Sequence, residues 1–516
     1  MPRFFNTAGP CLAENHYMIE PGRRLSQVRG LIDKGVYFVI HAPRQTGKTT
    51  LLRNLSRELT REGLYAAVTV SLESFTEASV EKMMPQILAN LENAAGYQLP
   101  AGMEPPAYQP FTANPAIALK EYLTSWSEGL SLPLVVFFDE IDALPGPVLI
   151  SILRQLRDGY TSRPAPFPHS AALVGMRDVR DYKVDVRNET KSLGTASPFN
   201  IKDESLVLRD FTREETLELL EQHTAETGQR FEDDAAEEVF TLSGGQPWLV
   251  NALAAQLTTR YDALVPDRSV RVKKGNVRDA KEILIERRDT HLDSLVDKLR
   301  EERVKKVIEQ ILIGGISVDP TYDGDFSYTR DLGLVAVEGG VRKIANPIYG
   351  EIIPRVLTHQ VQTSIPDEPA WFVAKDGTLN IEKLIDGFLE FWRENGEVLL
   401  RGMTYQEAAP HLVFMAYLQR IVNSGGQINR EFAIGTKRAD LVVHYGGKKD
   451  VIELKLWAGK KTEERGFEQV AAYAKRLGRD TGYLIIFDPK SKTPWEDRGE
   501  VEEMEQDGVK VVVVRA

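Results

Sequence analysis

A single cysteine, Cys11, among 516 residues leaves no disulfide to be closed within the chain. The 8 histidines are scattered, so the Cys/His spacings of a structural zinc site are missing as well. Long apolar runs are also lacking. The longest, such as Leu134–Phe138 and Val511–Val514, fall far short of the roughly 20 residues a bilayer crossing needs. The opening MPRFFNTAGPCLAENHYM has no continuous apolar segment of the secretory kind, and together these absences lead us to expect a cytoplasmic protein without a membrane partner. Nor is there an excess of positive charge: the formal net charge is -11, which excludes a nucleic-acid binder held by a bulk positive field. Residues 381–516 are nonetheless near neutral, with 21 Lys+Arg against 22 Asp+Glu, so a local basic patch there remains compatible with a nucleic-acid partner.

What is present is ordinary globular composition, 42% apolar and 27% charged, in a chain long enough for about three domains at roughly 150 residues each. Internal repeats and low-complexity tracts are absent, but the patterning changes three times. After a lead-in at 1–25, residues 26–260 alternate strand-like runs (VYFVIHA, LYAAVTVSL, LPLVVFFDEID, AALVGM) with amphipathic stretches, the pattern of a parallel sheet flanked by helices. Residues 261–360 turn to charged helical sequence followed by two short apolar segments around Gly339-Gly340, a hairpin signal that suggests a winged-helix module. A proline-containing linker at 361–380 leads to a last domain, 381–516, reading helix, strands, a Gly446-Gly447 turn, strand, helix and two strands.

The stretch Ala42, Pro43, Arg44, Gln45, Thr46, Gly47, Lys48, Thr49, Thr50 follows an apolar strand and opens a helix, the context of a phosphate-binding loop. In such a loop backbone N–H groups wrap the phosphates, Lys48 reaches the outer ones and the Thr49 hydroxyl ligates magnesium. Ala42 stands where the strict pattern has glycine. Some ninety residues on, LVVFFDE ends a strand in two acids: Asp139 is expected on the magnesium side and Glu140 as the base that activates water. The expected ligands are therefore ATP and Mg2+.

These residues resemble the AAA-like ATPases of the STAND and archaeal-ATPase group, over about residues 15–360. The lead-in HYMIEPGRRL, the DEID cluster, SGGQPWLVNALA and IANPIYGEII carry the resemblance. It implies that Gly244, Gly245 and Pro247 belong to a lid over the nucleotide, that His16 to Ile19 lie near the base, and that the protein self-associates through this domain. Arg177 and Asp178 stand where such enzymes have a polar sensor, and Arg154, Arg157 and Arg163 where an arginine finger is offered to a neighbour.

In RADLVVHYGGKKDVIELKLW, residues two apart on a strand share a face, so Glu453 and Lys455 point together, and a hairpin brings Asp440 beside them. Asp440, Glu453 and the carbonyl of Leu454 would make an all-oxygen site for Mg2+ or Mn2+, with Lys455 orienting a water. This arrangement resembles the PD-(D/E)XK nuclease superfamily over about residues 400–490. The resemblance implies a further acid, Glu407, and a Gln469/Tyr473 pair on one face of the following helix; the proline that opens the motif is replaced by Ala439.

The expected fold class is thus α/β: a P-loop NTPase parallel sheet with a helical lid, a winged-helix module, and a C-terminal restriction-endonuclease-like α/β domain. The expected function is an ATPase whose nucleotide state controls a metal-dependent endonuclease acting on DNA, with RNA as the second choice of substrate. The alternative is a signalling or scaffolding ATPase whose last domain only binds nucleic acid or protein. A setting in defence or mobile-element systems is implied by the family resemblance alone.

Overall fold

The structure, a computed structural model, describes residues 2–74, 79–178, 183–186, 189–192, 201–287, 297–312, 324–357, 372–374, 376–402, 408–422, 426–434, 437–445, 447–489 and 491–516. The chain divides into two compact units, Met1–Arg288 with Arg330–Gly333, and Asp289–Thr329 with Leu334–Ala516. Among the described residues no helix is long and apolar enough to cross a membrane.

The first unit is built on strands β1 (Tyr37–His41), β2 (Ala66–Ser71), β3 (Leu134–Asp139) and β4 (Ser170–Gly175), followed by a hairpin of β5 (Lys183–Val186) and β6 (Glu189–Ser192), and by β7 (Lys202–Val207). The main sheet is parallel, in the order β2-β3-β4-β1-β7. Its strands are continuous apolar runs because both faces are covered. Tyr37, Val39, Val136 and Phe138 enter one core with Met84, Ile87, Leu123, Trp126 and Leu153. Phe38, Ile40, Val135 and Phe137 alternate with them into the other, against Leu31, Ile32, Leu51, Leu52 and Leu59. Each such side chain, wholly withdrawn from water, contributes about 1.5–3 kcal/mol, so the loops at the carboxyl ends of β1 and β3 rest on a stiff base.

Four helices follow β7: Arg213–Thr227, Asp233–Ser243, Pro247–Thr258 and Lys274–Arg287. A reciprocal capping box between Thr212 and Glu215 opens the first, and Gly228 in the left-handed region closes it. The lead-in segment is tied to this bundle. Met18 exchanges two backbone hydrogen bonds with the Gln222 amide at 3.1 and 3.0 Å, and the Trp248 indole donates to Thr7 O at 2.9 Å.

In the second unit, helices Glu302–Leu312 and Pro347–Leu357 accompany a hairpin of β8 (Val335–Glu338) and β9 (Val341–Ile344). Its turn falls on Gly339 and Gly340, with φ of +56° and +78°, at the glycine pair where the sequence predicts one. After helices Ile381–Gly402 and Ala409–Val422 comes a six-stranded mixed sheet of β10 (Gly426–Ile434), β11 (Lys437–Tyr445), β12 (Lys448–Leu456), β13 (Thr481–Phe487), β14 (Glu500–Gln506) and β15 (Val509–Arg515). The order is β10-β11-β12-β13-β15-β14, parallel across β12-β13-β15 and antiparallel elsewhere. Helix Lys460–Arg476 covers one face, where Val470 and Ala474 meet Val442, Val451, Leu484 and Val511. On the other face Phe487 meets Trp392 and Phe414, with ring centroids 5.4 and 6.4 Å apart. The edge strand β14 is the one element of this sheet the sequence reading does not foresee.

Candidate nucleotide site and a second acidic strand

The loop after β1 enters its helix, Lys48–Arg61, through two residues in the left-handed region, Gln45 at φ +58° and Gly47 at φ +93°. The positive φ favours glycine at 47, and a Cβ there would also press on Arg24 Nη1 at 3.3 Å. The buried Thr46 hydroxyl donates to Pro43 O at 2.8 Å and closes the turn. Lys48, only 5% exposed, donates from Nζ to Ala42 O and Pro43 O, both at 2.9 Å. Its methylene stem and ammonium thus span the loop from inside. Burial pulls the Lys48 pKa down, opposed by Glu140, Asp142 and Asp139.

Asp139 lies at the end of β3, one strand removed from β1 in the sheet, and the two carboxyl ends face one crevice. The Thr49 hydroxyl donates to Asp139 Oδ2 at 2.7 Å, bringing together two residues ninety positions apart. The other carboxylate oxygen accepts from the Glu140 N–H at 3.0 Å. Glu140 itself adopts φ +56° and ψ +41°, uncommon for a residue with a side chain, at the point where the strand gives way to a short 3-10 turn. Burial raises both carboxyl pKa values above the ordinary range; the Thr49 hydroxyl and then Lys48 pull against this at Asp139, and Lys48 does so at Glu140.

A cavity of about 360 Å³ opens from this loop. Its lining includes Gln45 to Thr50 and Glu140, together with Tyr17, Met18, Ile19, Pro247, Trp248 and Asn251. Three of the four lead-in residues named from the sequence therefore line it. His16 does not: its Nδ1 accepts from the Leu12 N–H at 2.9 Å and its ring sits edge-on to Phe4. Of the residues expected in a lid, Pro247 lines the cavity, while Gly244 and Gly245 form the turn that sets the Pro247–Thr258 helix in place.

Sequence reasoning misses the segment Asn6–Cys11, Arg24, Phe211, Trp248 and Asn251, all of which line the cavity. Arg24 is buried, donates to Thr46 O at 2.7 Å and to Arg209 O at 2.9 Å, and stacks 4.9 Å from the Phe211 ring. Burial brings its pKa down to about 10. The Cys11 N–H donates to the Thr50 hydroxyl at 3.0 Å, fastening the lead-in to the loop helix.

Arg177 is half-buried and Asp178 buried, two and three residues beyond β4. Arg154 and Arg157 are exposed on helix Gly146–Thr161. Arg163 differs from the expectation of a finger. It donates to Gly35 O and His169 O, each at 2.7 Å, and lies 4.4 Å from the Tyr160 ring. Those partners flank the amino ends of β1 and β4, opposite the phosphate loop, so Arg163 is a strut of the fold.

In the second unit, Glu453 is 1% exposed on β12, and Lys455 Nζ donates to its Oε1 at 2.7 Å. The pair shares a face as the strand period requires. For Asp440 only the backbone is described; the register of β11 on β12 runs from Leu441–Ile452 to Tyr445–Lys448, so Asp440 and Glu453 each directly adjoin its first pair. Glu407 and Gly446 lie outside the described residues. On helix Lys460–Arg476, Gln469 is half-buried, whereas Tyr473 is 2% exposed and belongs to the core against the sheet. Among the described residues no three acidic, histidine or cysteine side chains converge into a metal-binding group. Leu454 lies between Glu453 and Lys455 on β12, paired with Ile485 of β13.

Residues 34–182 match the family model of an AAA domain. No curated protein matches the chain. Among solved structures it is similar to a Walker-type ATPase of Pyrococcus abyssi, at 16% identity over 68% of this chain and 99% of that one, with a TM-score of 0.48. It is also similar to the RuvB Holliday junction branch migration motor of Thermotoga maritima (17%, 64% and 92%, TM-score 0.35) and to Cdc6p of Pyrobaculum aerophilum (14%, 67% and 95%, TM-score 0.36). The matched segment runs from just before β1 to just past β4 and contains the loop, Lys48, Thr49, Asp139 and Glu140. The first unit therefore contains an AAA-type P-loop ATPase domain.

Proposed function

We propose that this protein is an ATP-hydrolysing switch whose nucleotide state controls a metal-dependent nuclease in its second unit, with DNA as the substrate. The observation that carries the ATPase half is the 2.7 Å bond from Thr49 to Asp139, two hard oxygen donors held beside a buried lysine. Thr49 and Asp139 would hold magnesium, which when bound neutralises charge developing on the phosphates. The loop N–H groups and Lys48 bind the phosphate oxygens, and Glu140 takes the proton of the attacking water, its raised pKa suiting it to that role.

The nuclease half rests on Glu453, a carboxylate withdrawn from water on a central strand and bonded to Lys455, one residue beyond the Leu441–Ile452 pair that Asp440 also adjoins. Such burial of an acid is costly unless a counter-charge offsets it. Asp440, Glu453 and the Leu454 carbonyl form an all-oxygen donor set of the kind magnesium or manganese accepts, and Lys455 orients the water. The β8–β9 hairpin with its helices has the composition of a winged helix within the second unit. The Glu453–Lys455 ion pair by itself also favours a second reading, in which the pair is complete as it stands and the domain binds nucleic acid or protein without cutting.

One assay separates the two. Linear, circular and single-stranded DNA are incubated with Mg2+ or Mn2+, with and without ATP, for the wild type, Glu453→Ala and Lys48→Ala. Cleavage that disappears in Glu453→Ala and changes in Lys48→Ala is the expected result. Unchanged cleavage in Glu453→Ala, or ATP hydrolysis with no cleavage of any substrate, would leave the binding module.

A further inference from the structure

Arg24 is buried at a cost that packing alone does not explain. It is 6% exposed, and among the described residues it forms no ion pair; Asp210 and Glu215 act on it through space. Withdrawing a guanidinium from water is costly unless a bonded carboxylate offsets it. Its donors go instead to two main-chain carbonyls, Nη1 to Thr46 O at 2.7 Å and Nε to Arg209 O at 2.9 Å. The first of these bonds fixes a peptide plane in the phosphate loop. The Thr46–Gly47 peptide is trans, and in a trans peptide the C=O and N–H point in opposite directions. Holding Thr46 O toward the guanidinium therefore aims the Gly47 N–H away from it. That N–H has no acceptor among the described residues, and it belongs to the set of loop donors that wraps a phosphate.

The second bond keeps the guanidinium from moving. Arg209 lies two residues beyond β7, and its side chain donates to both carboxylate oxygens of Glu215, at 2.6 and 2.8 Å, where the first helix of the bundle opens. Phe211, against whose ring Arg24 stacks, donates its N–H to Gly245 O at 2.9 Å. We propose that Arg24 is a positioning residue for nucleotide binding, which orients the Gly47 N–H toward the phosphates by holding the carbonyl of the same peptide. This inference rests on the ATPase reading and adds to it the group that sets the direction of a phosphate donor.

The test is made on the full chain with Arg24→Met, an apolar chain of similar length, and Arg24→Lys, which keeps one charged donor. ADP binding is read by calorimetry, and KM and kcat by ATP hydrolysis. A phosphate bond made equally in bound ATP and in the transition state contributes uniform binding, so its loss appears in KM and leaves kcat in place. Arg24→Met is expected to raise the Kd for ADP and the KM for ATP about tenfold, the size of one charge-assisted hydrogen bond, with kcat within about threefold of the wild type. Arg24→Lys is expected to recover part of that loss. A merely structural role would instead reduce the amount of folded enzyme, lowering apparent kcat with KM and Kd intact, and that result overturns the assignment. Wild-type Kd and KM in Arg24→Met do so as well. Should Arg24→Met fail to fold, Arg24→Lys decides: a KM raised about threefold supports the role, and a wild-type KM overturns it. A wild type that neither binds ADP nor hydrolyses ATP would sink the ATPase reading and this inference with it, an outcome distinct from an active enzyme indifferent to Arg24.

Discussion

Glu140, the residue proposed to activate water, is costly to the fold. It stands in the left-handed region beside Asp139, and burial raises the pKa of both carboxyls. Their folded-state values lie above their unfolded ones, so the stability this linkage provides is complete below the unfolded values and is lost as pH rises through the raised ones. At neutral pH both ionised groups therefore weigh against folding. Glu140→Gln is expected to raise Tm at pH 7 and to lose that advantage in acid. The same variant lowers ATP hydrolysis about 100-fold or more while binding persists, and the acid limb of the wild-type pH profile lies above the titration range of a solvated glutamate. A thermal melt showing no gain, or hydrolysis that survives the substitution, would count against this role. Lys48→Ala is expected to weaken ATP binding about tenfold or more, read by calorimetry, since it removes a charge-assisted donor. These residues are legible in the sequence because their chemistry is local: the loop is one continuous stretch, and Asp139 and Glu140 end one apolar run. Asn251 and Trp248 are not, because they reach the cavity only through folding; the indole meets Thr7 across 241 positions.

At the level of elements, the helix Pro247–Thr258 depends on a tight turn that no side chain could enter. Gly245 has φ +78°, and a Cβ on it would fall 2.1 Å from Phe211 O, whose own N–H donates to Gly245 O at 2.9 Å. Gly245→Ala is expected to cost about 2 kcal/mol or more and lower Tm by about 5 °C or more. Gly275→Ala is the control: it sits on helix Lys274–Arg287 with nothing within 4 Å of the added carbon, and Tm should hold or rise. Equal melts for the two variants would contradict the steric account. Strands β1, β3 and β12 are readable because their apolar residues mark what they bury. β14 is not, because its sequence EVEEMEQ is exposed or half-exposed throughout and gives no apolar face. It is a charged edge, with Glu500 and Glu502 near Arg515 and Glu503 bonded to Lys510 at 2.6 Å, which discourages pairing with another chain. The four-residue spacing of Gln469 and Tyr473 does set both on one helical side, yet burial against Val451 and Leu484 gives Tyr473 a packing role that spacing alone could not reveal.

For the whole molecule, the sequence divides its chemistry between two α/β sheets, one parallel with its acids at strand ends, one mixed with a buried acid in mid-strand. The net charge of -11 falls almost wholly outside residues 381–516, so this last part of the chain is near neutral and does not carry the repulsion of the rest toward a polyanion. If the two sites serve one function, a nucleotide held at the first must alter work done at the second. Glu140→Gln provides the means to test this, since it keeps bound ATP from being hydrolysed. The decisive measurement is the rate at which Glu140→Gln cleaves DNA in Mg2+ or Mn2+ with ATP and without it. The account predicts rates that differ about tenfold or more, with Glu453→Ala abolishing both. Equal rates with and without ATP, or no cleavage in either state, would contradict it.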